Sequence, residues 1–273
     1  MTMRFRLTKH WLYLPLVFMT LFYLLPLYVM VVTGFKSFEE VDLKTMWNLP
    51  SGIHFDNYIE AFNALAPSLK NSFLMVIPAT LLSSALGSLN GFILAKWKFK
   101  GADIIFPFIL FGMFIPYQSI LIPLVQFMSA AGIKGLPGLV LAHIIYGIPI
   151  TTLTFRNYYA SLPHELLEAA KIDGADMLGI YRHILLPIST PSFVVVLIWQ
   201  FTSAWNDFLF AVILTGNESW PITVALNNMA GSQIIAWNVQ MAGSLLAALP
   251  PLLIYIFLGR YFLRGLLAGS LKG

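Results

Sequence analysis

The residues of this chain that could do chemistry lie inside apolar surroundings, where polar groups are expensive and therefore informative. The stretch Ile198–Leu214 reads IWQFTSAWNDFLFAVIL and carries Gln200, Asn206 and Asp207 among aromatics. Two readings of Asp207 stand side by side. In one, Trp205 supplies an aromatic face and Asn206 and Asp207 supply hydrogen bonds to the hydroxyl groups of a passing solute. In the other, Asp207 caps or bonds a neighbouring span, or a second polypeptide, as structural glue. Gln118 follows Pro116-Tyr117, and Asn90 lies in a second apolar run. Either amide could line a pathway or form an interhelical hydrogen bond. His143 and His183 have no partners at metal-ligand spacing. There are no paired carboxylates, no nucleophile constellation and no phosphate-cradling GxxxxGK[ST] loop, so the chain does not read as an enzyme or as a nucleotide binder by itself.

The elements that must hold these residues are membrane helices. Of 273 residues, 58% are hydrophobic and 10% charged, with mean hydropathy +0.78, which excludes an ordinary soluble domain. There is no cysteine, hence no disulfide, Cys-ligated metal or thiol chemistry. A net charge of +4 without a basic arm gives no sign of nucleic-acid binding. The first apolar run, 11–33, is longer than a signal-peptide core of roughly 7 to 15 residues and reads as an uncleaved span. Further spans are expected at about 71–95, 104–128, 139–159, 191–215 and 241–263, all in a single membrane domain, 1–273. The segment 34–70 reads as an outside loop with a short amphipathic helix near Phe55 to Leu65. Pro107, Pro116 and Pro123 predict kinks in the third span. Asp207 falls about four residues past the middle of the fifth, roughly 6 Å to the outer side.

Six spans put both termini on one side. That side holds twelve of the 16 lysines and arginines, including Arg4, Arg6, Lys9, Lys96, Lys98, Lys100, Lys171, Arg182 and Lys272. Lys36, Lys44, Lys70 and Lys134 fall on the other. The positive-inside rule therefore makes the termini and the loop 161–187 cytoplasmic.

That loop, SLPHELLEAAKIDGADMLGIYRHILLP, is mostly polar and strongly patterned. Pro163 suits a first turn, and Glu165 and Glu168 complement the positive end of a helix dipole. Leu166, Leu167, Ala170 and Ile172 suggest one apolar face, Glu168 and Lys171 are spaced to pair, and Gly174 is placed to end the helix in the left-handed conformation. A second short helix is expected from Ala175 to His183. The small Ala169 and Ala170 leave a bare flank that could sit deep in a groove of another protein.

Glu168-Ala169-Ala170, then Gly174, then Ile184-x-Leu186-Pro187 resemble the EAA loop of bacterial ABC importer permeases with every spacing kept. Trp205-Asn206-Asp207, the run Leu249-Pro250-Pro251-Leu252 and the ending from Arg260-Tyr261 to Lys272-Gly273 are similar to the second, smaller permease of maltose and glycerol-3-phosphate importers. The resemblance implies an all-α integral membrane protein with six transmembrane helices, the type I ABC importer permease fold. In that fold the loop is a cytoplasmic coupling helix, with Glu168, Ala169, Ala170, Gly174, Ile184, Leu186 and Pro187 engaging an ATPase. It further implies two ATPase subunits that hold ATP and Mg, a second non-identical permease, an extracytoplasmic solute-binding protein and a sugar-like substrate in the cytoplasmic (inner) membrane. No cofactor is expected on this chain. Glycerol-3-phosphate or another polyol derivative is the alternative cargo. An ion-coupled secondary transporter, the rival mechanism, would need intramembrane ionisable groups, of which Asp207 is the clear candidate.

Overall fold

The computed structural model describes residues 4–97, 99–231 and 236–270. Lys98, Lys272 and Gly273, which the charge count and the tail resemblance used, lie outside the described residues. Every regular element among the described residues is helical: α1 Arg4–Gly34, α2 Asp56–Lys96, α3 Ala102–Phe111, α4 Leu121–Ala130, α5 Leu136–Ala160, α6 Glu165–Ile172, α7 Met177–Ile180, α8 Leu186–Ile188, α9 Thr190–Trp205, α10 Leu209–Leu214, α11 Ile222–Ala230 and α12 Trp237–Ser270, with short 3-10 turns and one π-helical turn, Tyr181–Leu185, between them. Four helices are long and apolar enough to cross a membrane, Tyr13–Gly34 within α1, α2, α5 and Trp237–Tyr261 within α12. Two bent pairs raise the number of spans to as many as six.

Those two pairs depart from the straight spans expected at 104–128 and 191–215. The first is broken by 91° between Phe114 and Tyr117. Pro116 lacks an N–H, and its ring disfavours the helical conformation at the preceding residue, so Ile115 is extended with ψ 116°. The second bends by 75° at Ser189, and its helix ends at Trp205, with Asn206 to Phe208 separating it from α10. The expected short amphipathic helix near Phe55 is instead the first turns of the 41-residue α2, which continues through Pro67 and Pro78. Between the expected fifth and sixth spans the structure adds the short helix α11.

The chain divides into two compact units. One comprises residues up to Ala66 with Leu226–Ala248. Its interior is stitched by amides: Asn57 donates to the carbonyls of Gly34 (3.0 Å) and Lys36 (2.8 Å), and Asn238 donates to Asn57 Oδ1 (2.9 Å). Such bonds matter where water is scarce, because an unmade one leaves a polar group stranded in apolar surroundings. Ala61, Val239 and Ala242 pack beside them. The other unit comprises Pro67–Ala225 with the chain from Leu249 onward, and it holds both the loop and the polar residues of the fifth span. Its helices approach closely through small residues, as membrane helices do where apolar burial gives no net drive to associate. Thr151 of α5 donates to the Ser83 carbonyl of α2 at 3.0 Å.

Candidate functional site

The loop between α5 and α9 is built from local signals. His164 takes the amides of Leu167 (2.9 Å) and Glu168 (3.1 Å) on its carbonyl and starts α6. At the other end Gly174 adopts φ +82°, the Ala175 amide bonds the Ala170 carbonyl at 2.9 Å and the Gly174 amide bonds that of Lys171 at 3.0 Å. This is a Schellman ending, and only glycine enters it without steric cost. Asp176 then caps α7 by accepting the Gly179 amide at 2.8 Å. Lys96, at the end of α2, reaches over to donate to the Leu162 carbonyl at 2.7 Å and fixes the start of the loop.

Two faces result. Leu167, Ala170, Ile180 and Leu185 are buried in one cluster with Phe92 of α2, Phe155 and Tyr159 of α5 and Val196 of α9. Outward stand Glu165, Leu166, Glu168, Ala169 and Ile172, the last 87% exposed. The apolar residues expected on one face are thus split between two, and the bare flank is not a pair of alanines: Ala169 is exposed while Ala170 is packed inward. Glu168 and Lys171 form no ion pair. Ile184 is half-buried, whereas Leu186 and Pro187 are exposed.

In the same unit, α5, α9, α10 and the short turns on either side of Pro116 line a half-open cavity of about 480 Å³. Gln200, Ser203, Asn206, Asp207 and His143 provide its polar lining, and Tyr117, Tyr146, Trp199, Phe208 and Phe210 its rings. The Asp207 carboxylate accepts the backbone amides of Phe210 (3.4 Å) and Ala211 (3.0 Å), which caps α10, and lies 3.4 Å from His143 Nε2. Asp207 therefore caps α10 and also lines the cavity. Gln200 lies across α5 and donates to the His143 carbonyl at 3.1 Å. It fits there because residue 147 is glycine, where a Cβ would come within 2.8 Å of the Gln200 amide carbon.

Three expected path residues are elsewhere. Trp205 does not face the cavity: it is buried, stacked on Phe201 with centroids 5.5 Å apart and edge-on to Phe73 at 5.1 Å. Helical geometry turns adjacent residues by about 100°, so Asn206 and Trp205 leave the helix end on different sides. Gln118 is exposed outside the cavity lining, and Asn90 donates to Thr152 of α5 at 3.4 Å, an interhelical bond. His143, Tyr117, Tyr146 and Phe210 were not singled out as path residues. Phe210 of α10 meets Tyr146 of α5 with ring centroids 5.1 Å apart, and the break at Pro116 brings Tyr117 to it at 5.2 Å.

Residues 87–267, which include the loop and the cavity lining, match the family model described as binding-protein-dependent transport system inner membrane component. The chain belongs to this family. The permease is 48% identical over 269 residues to a probable ABC transporter permease protein of Pyrococcus horikoshii, covering 97% of this chain and 98% of that one. A xylose/arabinose import permease of Haloferax volcanii is 37% identical, over 93% of this chain and 90% of that one. A chain from the crystal structure of a bacterial ABC transporter involved in the import of the acidic polysaccharide alginate superposes with a TM-score of 0.82 over 96% of the permease and 99% of that chain, at 21% identity, which shows the shared type I permease fold. The permease is therefore a multi-pass membrane component of a binding-protein-dependent ABC importer, a transport subunit and not an enzyme.

Proposed function

We propose that the permease forms half of the path for a sugar and takes mechanical work from cytoplasmic ATPase subunits through the loop 161–187. The observation that carries the cargo assignment is the cavity of about 480 Å³, where rings adjoin amide, hydroxyl and carboxylate groups. Saccharides present both apolar C–H faces and hydroxyls, and sites that hold them need both kinds of partner. The sugar named for the Haloferax volcanii relative points the same way. Among the described residues the lining contains no lysine or arginine, which favours a neutral polyol over glycerol-3-phosphate.

The outward face of α6, with Glu165, Glu168, Ala169 and Ile172, is the docking surface for an ATPase. Gly174, Ile184, Leu186 and Pro187 shape its far side, and Ala170 holds it to the spans. Two ATPase subunits carry ATP and Mg, and this chain needs no cofactor of its own. A second, non-identical permease completes the path, and a solute-binding protein delivers the sugar to the outside segments 34–70 and 216–238. Both termini are cytoplasmic. Closure of the ATPase pair switches the path between two discrete packings.

Asp207→Asn tests the cargo site; asparagine keeps one oxygen for an α10 amide but loses the acceptor for the other, so the melting temperature of the assembled variant is measured beside uptake to separate the cap from the cargo contact. Removing one charge-assisted hydrogen bond, about 1.5–3 kcal/mol, raises the KM for uptake by roughly tenfold or more in vesicles containing the whole importer, with D-xylose and D-glucose as probes. Unaltered uptake kinetics for a sugar that the importer carries would reduce Asp207 to its capping role.

A further inference from the structure

The bend between α8 and α9 leaves three carbonyls near Ser189, and each is taken by a hydroxyl. Ser189 Oγ donates to Leu186 O at 2.9 Å, Thr190 Oγ1 to Pro187 O at 2.8 Å and Tyr158 Oη to Ile188 O at 2.5 Å. The Pro187 carbonyl needs this help because Pro191, four residues on, has no N–H to offer it. Ser189 is also the end of a longer chain of hydroxyls. Tyr181, in the π-helical turn, donates to Ser88 Oγ at 3.0 Å. Ser88 and Tyr159 are 2.7 Å apart, and Tyr159 donates to Ser189 Oγ at 3.2 Å. Ser88, Tyr159 and Ser189 are fully buried.

One proton direction satisfies every member: Tyr181 to Ser88 to Tyr159 to Ser189 to the Leu186 carbonyl. Each of the three buried hydroxyls donates once and accepts once. Hydrogen bonds in such a chain polarise one another, and in a dry site the loss of one strands its neighbours. The chain connects α2, α5, the π-turn and the bend, and it lies beneath the aromatic stack of Phe92 on Tyr181, centroids 5.5 Å apart. A π-turn and a 75° bend in succession would otherwise be a soft joint.

We infer that Ser88, Tyr159, Tyr181 and Ser189 are positioning residues that lock this joint, so that movement of α6 reaches α5 and α9 and is not absorbed between Tyr181 and Thr190. The inference rests on the reading of the loop as the ATPase-coupled element. Because the chain has no cysteine, spin labels go cleanly onto Leu178→Cys, exposed on α7 next to α6 and not one of the docking residues, and Ile145→Cys, exposed on α5. In the importer assembled with its ATPase, the distance between them stays narrowly distributed with and without ATP. In Tyr159→Phe or Ser88→Ala the distribution broadens on adding ATP, and uptake per ATP hydrolysed falls by about fivefold, the equivalent of one buried hydrogen bond. Ser88→Thr, which keeps the hydroxyl, restores both. An ordinary packing role lowers the melting temperature and leaves the width and the uptake-to-hydrolysis ratio as they were, and that result overturns the inference. If no ATPase is retained by the unaltered chain, the coupling reading itself falls and takes the inference with it, an outcome distinguishable from the first.

Discussion

Asp207 answers two demands with one carboxylate: it satisfies the first amides of α10 and gives the cavity an acid beside His143. A second carboxylate works similarly in the loop after α1, where the Ser51 hydroxyl and amide, and then the Ser37 amide, hold the Glu40 carboxyl below its ordinary pKa. The sign follows from linkage: a group whose folded pKa is depressed stabilises the fold above its unfolded value and loses that contribution as pH falls through the folded one. Proteolysis of the 37–51 loop therefore accelerates on acidification into that range, and Glu40→Gln is cut faster at neutral pH with little further response to acid. A mutant with the parent's pH profile would contradict this. Residue types alone exposed Asp207, Gln200 and Asn206, because polar groups within apolar runs stand out. His143 was passed over because its partner is distant in sequence, and Trp205 was misplaced because adjacency in sequence is not a shared face on a helix.

The loop elements were legible because their signals are local. Acidic residues and a left-handed glycine announced α6 and its end, whereas the Asp176 cap that starts α7, and the π-turn that replaces the rest of the helix expected to His183, were not read. The spans were legible in number but not in shape, since hydropathy records how apolar a stretch is and carries no direction. Pro116 marked a kink, yet the size of the break depends on what α3 and α4 pack against. Gly174 is where element and mechanism meet most simply. A β-branched residue at φ +82° meets a backbone cost of about 1–2 kcal/mol or more, enough to reorient the Schellman ending and with it the exposed face of α6. Gly174→Val in the assembled importer should lower sugar-stimulated ATP hydrolysis at least severalfold, while Gly174→Asn, which tolerates the left-handed region, should retain most of it. Glu168→Lys should reproduce the loss by reversing charge on the outward face without disturbing the backbone. Normal stimulation in both Gly174→Val and Glu168→Lys would dissociate this surface from coupling.

At the scale of the whole molecule, the asymmetric distribution of positive charge predicts which end of each helix faces the cytoplasm, and the coupling proposal depends on that orientation. An importer can pull on α6 only from the compartment that holds ATP. Two exposed positions test this directly in a chain with no native cysteine: Leu43, 86% exposed in the segment after α1, and Ile172, 87% exposed on α6. With twelve of 16 basic residues expected on the side of the termini, the positive-inside rule predicts Leu43 outside and Ile172 inside. In intact cells a membrane-impermeant maleimide should modify Leu43→Cys and spare Ile172→Cys. Opening the cells and dissociating the ATPase, which on the proposed reading covers Ile172, should make Ile172→Cys react as readily as Leu43→Cys, since the two side chains are equally exposed in the permease alone. Modification of Ile172→Cys in sealed cells would put α6 beyond the reach of any ATPase, and both the docking surface and the hydroxyl lock behind it would need another partner.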